Sequence, residues 1–273
     1  LTVPSFENRT VIDSSSTVLK IKYNRQQNEL VTYFDINPDV SEKFIIYIKL
    51  KDKYSGRESK HFLRGMNTKE DHGGRYLMKH LSGKPVFKPF VNIFDTLLIS
   101  KPSEASKKIF VKYFSKNFSP AYAPFDSDKI IRESMKPDEI YNLPVKNRQA
   151  FFVPRKKGLY HLQTDTAAGG GKIFFVGDWS FPAFRKAEDL LKPLIYITET
   201  KEYKQIVNAE NKKLEIDKFW LNSAGNKEKA RQLISVWYKR AQYANRYFTS
   251  YKEGWKTDRG MIYILFGPPD MLN

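Results

Sequence analysis

Tyr251-Lys-Glu-Gly-Trp-Lys-Thr-Asp-Arg-Gly-Met-Ile-Tyr-Ile-Leu-Phe-Gly-Pro-Pro-Asp270 is the most densely punctuated stretch of this chain, and its reading decides how the C-terminal part is built. Glycines, a tryptophan and a Thr-Asp-Arg triplet stand between a long helical pattern and an apolar run, Met261–Phe266, that ends in Gly267-Pro268-Pro269. The run is rich in Ile and aromatic residues and reads as a strand. Gly254 then permits a turn after the helix, and Trp255 plugs back on the Trp237 and Phe248 side of it. Thr257 and Asp258 can bond local backbone N–H groups, and Asp258 can also pair with Arg240 or Arg259. Gly260 frees the chain to enter the strand, and Gly267, Pro268 and Pro269 stop it. The stretch is expected to be a corner that locks helix to strand.

Upstream of the corner the apolar period is 3.6. Glu199–Asn208 and Leu214–Leu221 read as helices, and Asn226 is an N-cap that opens the longest one. Along it Ala230, Leu233, Ile234, Trp237, Ala241, Ala244 and Phe248 recur at i, i+3, i+4 spacing, a core-facing stripe. Arg240 and Asn245 flank the stripe, while Lys239 and Arg246 point away from it.

Before Phe181-Pro182 the period is two. Val18–Tyr23, Leu30–Ile36, Phe44–Leu50, Val91–Ile99 and Lys108–Phe114 read as strands, with a weaker run at Lys60–Leu63. Short strands with no helical pattern between them predict an antiparallel β-sandwich of immunoglobulin or fibronectin type over residues 1–120. Residues 121–195 form a second β-rich domain with a Pro-containing lead-in, a short helical possibility at Asp128–Met135, and strands at Ala150–Val153, Gly158–Gln163 and Lys172–Val176. Residues 196–273 form a helical, α+β domain.

The chain has 273 residues, 41% apolar and 15% aromatic, enough to bury real cores. It has no cysteine, which excludes disulfides, thiolate catalysis and Cys-ligated zinc, and no apolar run of transmembrane length. The net charge of +17 is spread nearly in proportion to length, with +5 over residues 198–273. Nucleic-acid proteins more often gather charge in a patch or arm, so nucleic acid is not the expected partner. A diffuse positive field suits an anionic glycan, a membrane surface or an acidic partner protein.

Thr166–Lys172 invites a phosphate-loop reading, which fails because Ile173 follows the lysine and a strand begins there. His61, His72, His80 and His161 form no HExxH arrangement, no calcium loop is present, and there is no GxSxG elbow. His72 and His80 flank a glycine turn, where surface or packing roles are expected over a shared metal. Asp258 with Glu253 or Asp270 is the one carboxylate pair that suggests hydrolysis of a cell-wall polymer. No catalytic residue, metal or cofactor is expected.

From Lys192 onward the chain resembles the GWxTD-domain family, whose motif stands here as Gly254-Trp255-Lys256-Thr257-Asp258. Pro193-Leu-Ile-Tyr-Ile, Glu202-Tyr203, Asn208-Ala-Glu-Asn-Lys-Lys, Phe219-Trp220-Leu221, Arg240 with Ala244-Asn245, and Asp258–Asp270 fit its pattern, and Gly158–Asp165 also looks like its members. The resemblance implies a Bacteroidota cell-envelope protein, exported and outer membrane-associated as a periplasmic or cell-surface lipoprotein, with signal and lipobox upstream of residue 1. Asp95-Thr-Leu97 and Asp165-Thr-Ala167 resemble O-glycosylation tripeptides of such proteins, a hint in the same direction. Members usually continue past the Gly-Pro-Pro turn with strand-forming sequence, so a truncated or partly observed last domain is expected at Asn273. The expected role is a non-enzymatic interaction or scaffold subunit with other envelope proteins as partners, in secretion, assembly or motility. The alternatives are a binding module for an anionic glycan and, third, a hydrolase using Asp258.

Overall fold

The computed structural model describes residues 2–4, 11–14, 16, 18, 43–66, 76–100, 107–122, 135–165 and 170–269. The fold is mixed: antiparallel sheets come first, and helices gather toward the C-terminus. The chain divides into two compact units, Leu1–His72 and Gly73–Asn273.

In the first unit β1 (Thr2–Pro4), β2 (Val11–Ser14), β3 (Lys43–Lys51) and β4 (Glu58–Met66) form one antiparallel sheet in the order β2-β1-β3-β4. The β3–β4 hairpin closes because the Asp52 carboxylate accepts from Tyr54 N and Ser55 Oγ, and Gly56 supplies a φ of 71°. The weak run at Lys60–Leu63 is therefore the middle of a full strand. The strands expected at 18–23 and 30–36, and the helix at 128–135, lie outside the described residues except for Val18 and Met135, which belong to no regular element.

The second unit contains β5 (Leu77–His80), β6 (Phe90–Asn92), β7 (Leu97–Ser100), β8 (Lys108–Phe114), β9 (Glu139–Pro144), β10 (Gln149–Phe152), β11 (Gly158–Gln163) and β12 (Lys172–Gly177). They make a three-stranded sheet, β10-β7-β5, and a five-stranded sheet, β6-β12-β11-β8-β9, in which β6 and β12 run parallel. Both sheets bury one cluster: Met78, Ile99 and Phe152 from the first meet Ile109, Tyr160 and Phe174 of the second. Among the described residues, paired sheets that share one core span β5 to β12. The five-stranded sheet crosses residue 120, because β8 lies between β11 and β9.

The single strand expected at Val91–Ile99 is two. Asp95 Oδ2 accepts from Asn92 N at 2.9 Å, Phe94 takes a φ of 67°, and this turn carries the chain from one sheet to the other.

The helices are α1 (Ala187–Leu191), α2 (Thr200–Asn208), α3 (Lys212–Ala224), α4 (Lys227–Phe248) and α5 (Asp258–Phe266), with 3-10 turns at Lys192–Tyr196 and Gly254–Lys256. Asn226 Oδ1 accepts from Lys229 N at 2.9 Å and so caps α4 as expected. Ala230, Trp237, Ala241 and Ala244 are buried along α4. Leu233 is 44% exposed and leaves the stripe, whereas Asn245 is 3% exposed and belongs inside it. Leu191 and Leu194 share the core of Trp220, Trp237, Trp255 and Ile264, so helical packing begins upstream of residue 196.

The strand expected at Met261–Phe266 is a helix. Thr257 Oγ1 accepts from Gly260 N at 3.0 Å, Asp258 stands in the first turn, and Met261 and Ile264 face the core three residues apart. A short apolar run does not distinguish strand from helix by periodicity, and here the cap decides. In a strand Ile262 and Ile264 would share a face, whereas in α5 only Ile264 is buried. Ile264→Ala is therefore expected to cost about 2–4 kcal/mol, and Ile262→Ala under about 1 kcal/mol, in urea unfolding. Asn226→Ala should cost about 1 kcal/mol in the same measurement.

Candidate functional site

The α4–α5 corner is built on a contact between backbones. A Cβ on Gly254 would lie 1.9 Å from the Ala244 carbonyl oxygen, and one on Gly260 would lie 1.8 Å from the Gly254 carbonyl oxygen. Only glycine fits at either position, and the reason is close approach rather than a left-handed φ. This packing buries peptide groups that need partners. Trp255 N donates to Asn245 Oδ1 at 3.0 Å, and Gly254 N donates to Thr249 Oγ1 at 2.9 Å. The Thr249 hydroxyl in turn donates to Asn245 O, and the Thr257 hydroxyl donates to Gly254 O at 2.7 Å. Asn245 Nδ2 reaches Pro182 O at 3.2 Å, which ties the corner to the chain leaving the sheet.

Trp255 is buried in the helical core with Trp237, and its ring meets Tyr196 edge to face at 6.1 Å. Tyr196 also donates its hydroxyl to Trp255 O at 2.9 Å. Burial is the main reason the Tyr196 phenol is held well above its ordinary pKa. Lys256, at the variable position of the motif, is buried; its ammonium pairs with Glu253 and donates to Asn117 Oδ1 at 2.6 Å. Phe118 meets Tyr251 edge to face at 5.0 Å, and Lys252 donates to Ser119 O at 3.2 Å. The segment after β8 is thereby strapped to the corner.

Beside the strap lies a cleft of about 630 Å³, walled by this segment, the turn after β12, and Lys252, Glu253 and Trp255. Asp178 stands on its wall. Burial would raise its carboxyl, but bonds from Ser180 N and Oγ, with Lys186 and Lys157 nearby, hold it below the usual range. Burial opposes the charge on Lys192 as well, yet its bond to Asp189 and the field of Glu253 keep its pKa above the ordinary value.

Several residues singled out from sequence converge here and others do not. Gly254, Trp255, Thr257, Gly260 and Asn245 form the corner itself. Arg240 does not pair with Asp258; its guanidinium donates to Ile264 O and Leu265 O and so satisfies the end of α5. Gly267, with a φ of 92°, ends the helix beside Arg240, and Pro268 and Pro269 are exposed beyond it. Asp258 and Arg259 are exposed in the first turn of α5. Glu253 is taken up by Lys256, and Asp270 lies outside the described residues. Thr249, Tyr196, Asn117 and Lys256 are not singled out as site residues by the sequence reading, although Tyr196 and Lys256 stand inside stretches that fit the family pattern and the hydroxyl of Thr249 lies a turn before Gly254. Lys172 donates to Tyr76 O, His161 bonds Gly170 O, and among the described residues no three metal-binding side chains cluster.

Gly254→Ala and Gly260→Ala are each expected to destabilise by about 3 kcal/mol or more, because a backbone oxygen must move. Thr257→Val should cost about 1–3 kcal/mol through lost buried hydrogen bonds. Asp258→Asn should cost less than any of these in chemical denaturation, since its carboxylate is exposed.

No curated protein and no solved structure matches the chain. The family model described as the GWxTD domain matches residues 158–273, which takes in β11, β12, the five helices of the described residues and the corner. The chain is therefore a GWxTD-domain-containing protein.

Proposed function

We propose that this protein is a non-enzymatic subunit of a cell-envelope assembly that holds a partner protein on its helical face. The observation that carries the reading is the outward side of α4. Leu233, Val236, Tyr243 and Tyr247 recur at helical spacing and are 40% to 48% exposed. Tyr243 stacks on Tyr263 at 4.5 Å, which continues the surface onto α5, where Ile262 and Phe266 are exposed. A helical face of this kind suits a partner with a complementary apolar patch. Along α4 stand Lys227, Lys229, Arg231, Lys239, Arg240 and Arg246 against one carboxylate, Glu228. The partner therefore presents apolar residues ringed by carboxylates.

In this reading it is an exported, outer membrane-associated lipoprotein working with a secretion, assembly or motility machine, as the resemblance to the GWxTD-domain family implies. The engagement of Glu253 by Lys256 favours a structural over a hydrolytic role, because it occupies one candidate partner of Asp258.

The test is affinity purification from solubilised membranes of the native host with wild type and the double variant Leu233→Glu, Val236→Glu. Wild type should be recovered in a stable complex that the double variant loses, while its unfolding free energy stays within about 0.5 kcal/mol per site. A complex retained by the variant, or a wild type recovered alone, overturns the reading.

A further inference from the structure

The cleft beside the strap carries charge that the corner does not use. Its walls hold five lysines, Lys116, Lys157, Lys192, Lys252 and Lys256, against the three carboxylates Asp178, Asp189 and Glu253. Lys157 lies 3.9 Å from Asp178, Lys192 lies 2.8 Å from Asp189, and Lys256 pairs with Glu253. Lys252 differs from these three. Its ammonium donates to the Ser119 carbonyl and meets no carboxylate within ion-pair distance among the described residues. Its ammonium also lies over the Tyr251 ring at 5.7 Å, and burial lowers its pKa, with Asp258 only partly offsetting this. The half-buried rings of Phe118 and Phe181 line the same cleft.

We propose that this cleft is a binding site for an anionic saccharide, with a carboxylate or phosphate group at Lys252 and a sugar ring against the aromatic wall. An ammonium with no carboxylate at ion-pair distance gains most from an anion that arrives at the site. The apolar face of a sugar ring packs on aromatic side chains while its hydroxyls remain toward the open side of the cleft. An acidic peptide fits less well, because each of its residues brings an N–H and a C=O that need partners. The strand residues in the wall, Gly158 of β11 and Phe175 and Gly177 of β12, belong to interior strands of the five-stranded sheet, so no strand edge is open there. The site is separate from the outward face of α4 and stands or falls independently of the assembly reading.

Calorimetric titration of the whole chain with trigalacturonate and with glucose 6-phosphate tests this. At least one should bind, maltotriose should not, and Lys252→Gln should weaken binding about tenfold or more. The glutamine amide keeps a donor for Ser119 O, and unfolding curves check that the variant is folded. Lys252→Arg should retain binding, and Lys239→Gln on α4 should leave it unchanged. The proposal is overturned if neither anion binds, if Lys239→Gln weakens binding as much as Lys252→Gln, or if a tetra-aspartate peptide binds more tightly than both sugars.

Discussion

The helical part of this protein depends on one close contact, the approach of the Gly254 peptide to the Ala244 carbonyl in the last turns of α4. With no side chain at Gly254, the following 3-10 turn sinks into the core and carries Trp255 with it. Buried peptide groups without partners would make that position untenable. Asn245, Thr249, Thr257 and Tyr196 supply the partners, and each acts on the backbone of the turn. The direction of α5 follows, because its first turn is capped by Thr257 and packed on Gly254 through Gly260. Ile264 then enters the core, and Arg240 closes the far end of α5. A single helix-to-helix corner thus fixes α5 at both ends.

These polar atoms are turned inward, so most letters of the motif act on the protein's own backbone. Asp258 is the exception, exposed with Arg259 on the first turn of α5. Lys256 at the variable position does something else. Its buried ammonium links Glu253 to Asn117 of the strap after β8, so the residue joins the helical layer to the sheet layer of the same unit. The outward side of α4 and the cleft beside the strap are the two surfaces proposed above for contact with other molecules.

Much of this was legible in the sequence. The cap at Asn226, the α4 stripe and the strands at Phe44–Leu50, Lys108–Phe114 and Gly158–Gln163 follow from local chemistry and period. Met261–Phe266 was misread because six apolar residues carry no polar punctuation, although Thr257, three residues before Gly260, was a capping signal in plain view. Val91–Ile99 was misread for the opposite reason: Asn92 and Asp95 form a turn inside an apolar run. Asn245 looked like a flanking polar residue. Its burial is set by the peptide it must satisfy ten residues away, which no local pattern reveals. The pairing of β8 with strands beyond residue 120 is likewise long-range.

The most direct measurement of the corner is native-state amide hydrogen exchange. If Gly254 and Trp255 are bonded inside the core, their amides should exchange only by the opening that also exposes Ala241 and Ala244, with equal opening free energies. Rapid exchange of Gly254 and Trp255 through local opening, while α4 stays protected, would contradict a corner that holds the helical layer together.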